Sequence, residues 1–179
     1  MELISTQNSQ KEILTLIETA LRNRLSQFSI KSEYSVNNPP GHIENRVFIG
    51  GSYILMPILR EIEQVVVESG YQPILARDFS IPREKTREYI LRLLFQCKYA
   101  IFEETYGGGQ VAEIVRASGF EHIKFLQVYM TMDEKREPPN TLSAMIWQTN
   151  PPPQGYITIK ELREIVQAFL ASSAINDNK

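Results

Sequence analysis

Apolar positions at the start of the chain recur at helical spacing. Ile13, Leu14, Ile17, Leu21, Leu25 and Phe28 fall on one face of a predicted N-terminal helix within residues 1–31. The period then breaks. Ser32 to Asn45, SEYSVNNPPGHIEN, is polar, holds Pro39, Pro40 and Gly41, and predicts a linker over 32–45. From Arg46 onward, short apolar runs alternate with amphipathic stretches. RVFIGG, Arg46 to Gly51, is a β-branched and aromatic run ending in glycines, as a buried strand is. Ile54, Leu55, Ile58, Leu59, Ile62, Val65 and Val66 mark a helix that tolerates Pro57 in its first turn and closes at Gly70. YQPILA, Tyr71 to Ala76, predicts a second strand at a sheet edge, because Pro73 cannot donate to a ladder. A helix over 82–96 turns Tyr89, Ile90, Leu93, Leu94 and Cys97 inward, and YAIFEE, Tyr99 to Glu104, is the third strand. A short helix over Gln110 to Ser118 buries Val111, Ile114 and Val115, and KFLQVYM, Lys124 to Met130, is the fourth strand.

Later segments are less regular. Asp133 to Asn140 is a charged loop, AMIWQT, Ala144 to Thr149, is a candidate fifth strand, and NPPPQG is a rigid connector of extended character. TIKE, Thr158 to Glu161, is a capping box, and Leu162, Ile165, Val166 and Phe169 form the buried face of the helix it opens. Residues 172–179 predict a frayed tail. Alternating strands and helices with short connections predict an α/β, flavodoxin-like three-layer sandwich over 46–171, with a mostly parallel sheet of about five strands. The N-terminal helix precedes it and either dimerises, giving a homo-oligomer, or covers one face of the sheet.

Composition narrows the partners. The chain has 179 residues, 42% hydrophobic and 22% charged, and a net charge of -2. A basic excess would announce a nucleic-acid or membrane surface, and there is none, so neither partner is expected. Cys97 is the only cysteine, which excludes an internal disulfide and suits a reducing compartment. The first residues lack a signal-peptide pattern, and no apolar run approaches the roughly 20 residues of a spanning helix, so a cytoplasmic location is expected. His42 and His122 have no partner at metal-ligand or triad spacing, G-x-S-x-G is absent, and Cys97 reads as a small core residue. No metal or required cofactor is expected.

Candidate chemistry gathers at two glycine-rich strand exits. In a parallel sheet of order 2-1-3-4-5, ligands bind beyond the carboxyl ends of strands one and three. Gly50, Gly51, Ser52 and Tyr53 leave the first strand, and Glu104, Tyr106, Gly107, Gly108, Gly109 and Gln110 leave the third. Glycines admit close backbone approach, and amides at a helix start favour an anion, although glycine also serves any tight turn. The loop RDFSIP borders the same rim; Arg77 can meet a phosphate or be solvated, and Asp78 can hold a ribose hydroxyl or serve its turn. Tyr53 and Tyr106 can stack on a base or cover the core edge. Alternation sends Glu103 and Glu104 to opposite faces, so one is expected at the site and the other in solvent. Glu113 reads two ways. In the first turn of its helix it can serve the helix dipole; on a face shared with Gln110 and Ala117 it can look into the crevice and act on an oxocarbenium-like sugar carbon.

VFIGGSY, GYQPILARDF and CKYAIFEETYGGGQVAEI carry a resemblance. From Arg46 to about Phe169 the chain resembles the flavodoxin-like superfamily that joins TIR domains to nucleoside 2-deoxyribosyltransferases. That resemblance implies that Glu113 acts on the C1′ carbon of an N-linked ribose, that Glu104 or Glu103 orients the nucleoside, and that NAD is a possible substrate. The glycine run is also similar to that of lysine-decarboxylase-like phosphoribohydrolases, which likewise cleave N-ribosyl bonds. YGGGQVA stands where TIR domains carry a small residue and a tryptophan, and EE and GGQV stand where the transferases show aspartate and a Gly-Thr step. The implied function is binding of a nucleoside or nucleotide with cleavage or transfer at its N-ribosyl bond. The alternative is a non-catalytic TIR-like module that senses a nucleotide or associates with itself.

Overall fold

The computed structural model describes residues 35–106, 110–131 and 152–176. The opening helix, the candidate strand Ala144 to Thr149 and the glycines Gly107, Gly108 and Gly109 lie outside the described residues. Strands β1 (Arg46–Gly51), β2 (Gln72–Leu75), β3 (Tyr99–Glu103), β4 (Lys124–Met130) and β5 (Gln154–Tyr156) alternate with helices α1 (Met56–Glu68), α2 (Thr86–Phe95), α3 (Gln110–Ser118) and α4 (Ile159–Asn176). The five strands form one sheet of order β2-β1-β3-β4-β5, and every pairing is parallel. This is the flavodoxin-like α/β fold. Pro73 lies on the edge strand β2, where its missing N–H breaks no second ladder.

Both faces of the sheet are covered, and the strands accordingly read as continuous apolar runs. Phe48, Ile74, Ala100 and Phe102 point to one face and meet Leu93 and Leu94 of α2 and Ile114 and Ala117 of α3. Alternation sends Val47, Ile49 and Ile101 to the other face, which α1 and α4 cover while packing on each other. The Tyr99 ring meets Phe169 of α4 edge-on at 6.3 Å and Tyr71 at 5.4 Å.

Local signals in the chain explain the element ends. Gly70 takes φ 82 after α1. There the Tyr71 amide donates to the Val66 carbonyl and the Gly70 amide to the Val67 carbonyl, a Schellman closure. At α4, the Glu161 amide donates to the Thr158 hydroxyl at 3.2 Å, and the Glu161 carboxylate accepts from the Ile157 amide at 2.9 Å. The capping box is therefore formed, with its return bond one residue earlier than in the reciprocal form.

Several expectations are corrected. Ile54 is 75% exposed in a 3-10 turn, Tyr53–Leu55, ahead of α1. The turn absorbs the approach to Pro57, which stands in the first turn of the helix. Val115 is 58% exposed, and Ala117 with Ile114 forms the buried stripe of α3 instead. The segment read as a rigid connector supplies β5, whose Gln154, Gly155 and Tyr156 pair with Val128, Tyr129 and Met130. The predicted frayed tail is helical through Asn176.

The predicted linker, too, is bound to the domain. Val36 is buried in the same cluster as Phe48 and Leu94, and the Gln96 side chain donates to the Val36 carbonyl at 3.0 Å. Among the described residues, no helix is long and apolar enough to cross a membrane.

Candidate functional site

Strand order places the switch between β1 and β3: the chain steps from β1 outward to β2, then returns through α2 to β3 on the other side of β1. In sheets of this order the ligand crevice lies beyond these strand ends. At its floor, Gly50 and Gly51 of β1 stand beside Phe102 and Glu103 of β3.

Glu113 reaches this floor. Its Oε2 lies 3.0 Å from where a Cβ on Gly50 would stand, and the Phe102 ring lies 2.7 Å from the same point. The carboxyl group therefore leans over the end of β1, and only glycine leaves room for it. Burial pushes its pKa up to about 7, since leaving water disfavours the charged form. Gly50→Ala is expected to lower stability by about 1–3 kcal/mol, because the methyl group must displace a packed ring and the carboxyl together. Urea unfolding checks this, and an unchanged midpoint would show that the Gly50 contact is slack.

Tyr53, 45% exposed, sits on the β1 side of the rim. Its hydroxyl pKa is raised, first by burial and then by the negative charge of Glu113, with Arg77 opposing. The Arg77 guanidinium carbon lies 5.7 Å from the Tyr53 ring centroid, over its face. Glu113, Tyr53 and Arg77 thus share one rim although Tyr53 and Glu113 stand sixty positions apart in the chain. Ser52 is half-buried, and its carbonyl accepts from the Leu55 amide at 2.9 Å, which starts the turn that carries Tyr53.

Asp78 is placed differently. It is buried and accepts a forked pair from Arg60 of α1, at 2.9 and 2.6 Å, while Arg60 also donates to Glu63 at 2.7 Å. This fork clamps the turn Ala76–Asp78 onto α1 and so holds Arg77 over Tyr53. Asp78 therefore braces the rim through Arg60 while lying close enough to Tyr53 to raise its pKa.

Glu103 and Glu104 are 0% and 3% exposed, so neither enters solvent. The expectation that one of them would do so fails because β3 is a central strand. Alternation separates their faces, but helices cover both faces. Glu104 returns to the Phe102 side, the side of α3 and Glu113. Glu103 turns the other way and accepts from the Tyr156 hydroxyl at 3.0 Å, the Thr105 hydroxyl, and the Thr105 amide at 3.3 Å. Burial raises its pKa, and these donors oppose the rise. Sequence reasoning passed over Thr105 and Tyr156: one reads as a loop residue and the other follows a proline run, and neither carries a local signal. Tyr106 is exposed, and Gln110 opens α3. Among the described residues, no cluster of His, Cys, Asp or Glu could hold a metal ion.

A carboxyl group poised near neutrality over a strand end, beside an aromatic ring and a guanidinium, can exchange a proton at physiological pH or face a developing cation. The chain matches no protein-family model, no curated protein and no solved structure.

Proposed function

We propose that the crevice between β1 and β3 binds a nucleoside or nucleotide, NAD among them, and that Glu113 acts there on the N-ribosyl bond. The reading is supported above all by the Glu113 carboxyl leaning over Gly50 at the topological switch instead of facing solvent. In this mechanism the C1′–N bond breaks and its electron pair leaves with the base. Ionised Glu113 stabilises the oxocarbenium-like carbon, and water or another acceptor then adds there and gives up a proton. A nicotinamide leaving group is already cationic and needs no proton. Cleavage of NAD should therefore rise with pH through about 7, as Glu113 ionises. Tyr53 offers the ring face opposite Arg77 to a base, and Arg77 its charge to a phosphate.

The test incubates the purified protein with NAD and a set of nucleosides and follows release of nicotinamide or free base. Glu113→Gln is expected to slow release by about 100-fold or more, with the protein still folded. Absence of release from the wild type, or release indifferent to Glu113→Gln, would sink the catalytic reading. Nucleotides that raise the melting temperature without turnover would favour a non-catalytic, TIR-like sensing module.

A further inference from the structure

Behind the crevice, on the sheet face away from Glu113, lies a closed polar knot. Thr105 is its centre. The Thr105 hydroxyl accepts from the Met130 amide of β4 at 2.7 Å and donates to Glu103 Oε1. The Thr105 amide donates to both oxygens of Glu103, each at 3.3 Å. From β5, the Tyr156 hydroxyl donates to the same Oε1 at 3.0 Å. One residue earlier, the Glu104 amide donates to the Val128 carbonyl at 2.8 Å. The carboxyl ends of β3, β4 and β5 are thereby tied together beneath the start of the β3 exit loop.

A carboxylate at this depth is a poor choice for stability alone, since apolar side chains of similar volume fill such a space at lower cost. A fully satisfied buried network instead fixes one conformation. Here the residue it fixes stands between Glu104 and Tyr106, which the function proposed above assigns to the ligand. We propose that Glu103 and Tyr156 are positioning residues which, through Thr105, hold Glu104 and Tyr106 in place to receive the ribose and base of a nucleoside or nucleotide. This rests on the function proposed above and adds the device that orders the binding side of the crevice, leaving the chemistry to Glu113. The knot touches no reacting atom. It acts on how the ligand is seated and so on KM, while Glu113 acts on kcat.

The experiment uses the full chain with Thr105→Val, Tyr156→Phe and, as the conservative variant, Thr105→Ser. For release of nicotinamide or base, Thr105→Val and Tyr156→Phe should each raise KM about tenfold and leave kcat within about twofold. Thr105→Ser keeps the hydroxyl and should restore the wild-type KM. Should the wild type bind nucleotides without turnover, the dissociation constant replaces KM and the same pattern is expected. Wild-type values in Thr105→Val and Tyr156→Phe would overturn the positioning role while leaving the proposed function intact. A fall in kcat matching that of Glu113→Gln, or a KM that Thr105→Ser fails to restore, would overturn it too. A wild type with neither turnover nor binding overturns the function and this role together.

Discussion

At pH 8, Glu113→Gln is expected to be more stable than the wild type by up to about 3 kcal/mol, whereas near pH 4 the two should unfold alike. Burial holds the folded-state carboxyl neutral up to about 7, against 4.5 for the group in water. A raised folded-state value means that the wild type keeps its full stability below about 4.5. Each pH unit from there to about 7 removes roughly 1.4 kcal/mol, as the unfolded chain ionises and the folded one resists. Above that range the loss is complete. Glutamine has no charge to bury and lacks this slope. Urea unfolding of both proteins from pH 4 to pH 8 measures it, and parallel profiles would show that Glu113 is already solvated in the folded state. Paired with lost turnover, a gain in stability would mark Glu113 as a group kept at the expense of the fold.

Arg46→Ala is expected to lower stability by about 3–4 kcal/mol. The reason lies in the proline segment that precedes β1. Prolines supply carbonyls without amide donors, so a strap rich in them cannot satisfy itself. The guanidinium does so instead: it donates to the carbonyls of Pro39 at 2.7 Å, Pro40 at 2.9 Å and Gly41 at 2.5 Å, and to that of Gln96 at 3.3 Å. Removing it strands these acceptors and frees Val36 from the core. Arg46→Lys should recover only part of the loss, because an ammonium group cannot match the fork. Chemical unfolding, with proteolysis of residues 35–45 as a local probe, reads the outcome. An alanine variant within about 0.5 kcal/mol of the wild type would mean that water satisfies the strap.

Much of the site was legible because it depends on strand order, and strand order follows from a few local signals. Pro73 marked an edge, the short connections demanded parallel pairing, and the glycines after Ile49 marked a strand exit where side chains would intrude. Those features bring Glu113, Tyr53 and Arg77 to one end of the sheet. The roles of Asp78 and Glu103 were not legible. Each carboxylate is defined by a partner far along the chain, Arg60 for one and Tyr156 for the other, and no spacing rule links such pairs. The strap before β1 departs from expectation for a related reason: its polarity predicts a linker, whereas Arg46 of the first strand, Gln96 and the burial of Val36 bind it to the domain.

The local pattern by itself determined the order of the first four strands and their helices, the helix ends at Gly70 and Thr158, and the glycine exit after β1, because each depends on backbone geometry and burial over a few neighbouring residues. Tertiary structure alone decided which carboxyl groups lie at the β1 strand end and which are bound into ion pairs or hydrogen bonds elsewhere. Burial, facing and hydrogen-bond partners depend on packing between distant segments. Only packing turns Glu113 over Gly50, clamps Asp78 to Arg60 and closes Glu103 into a knot with Thr105 and Tyr156.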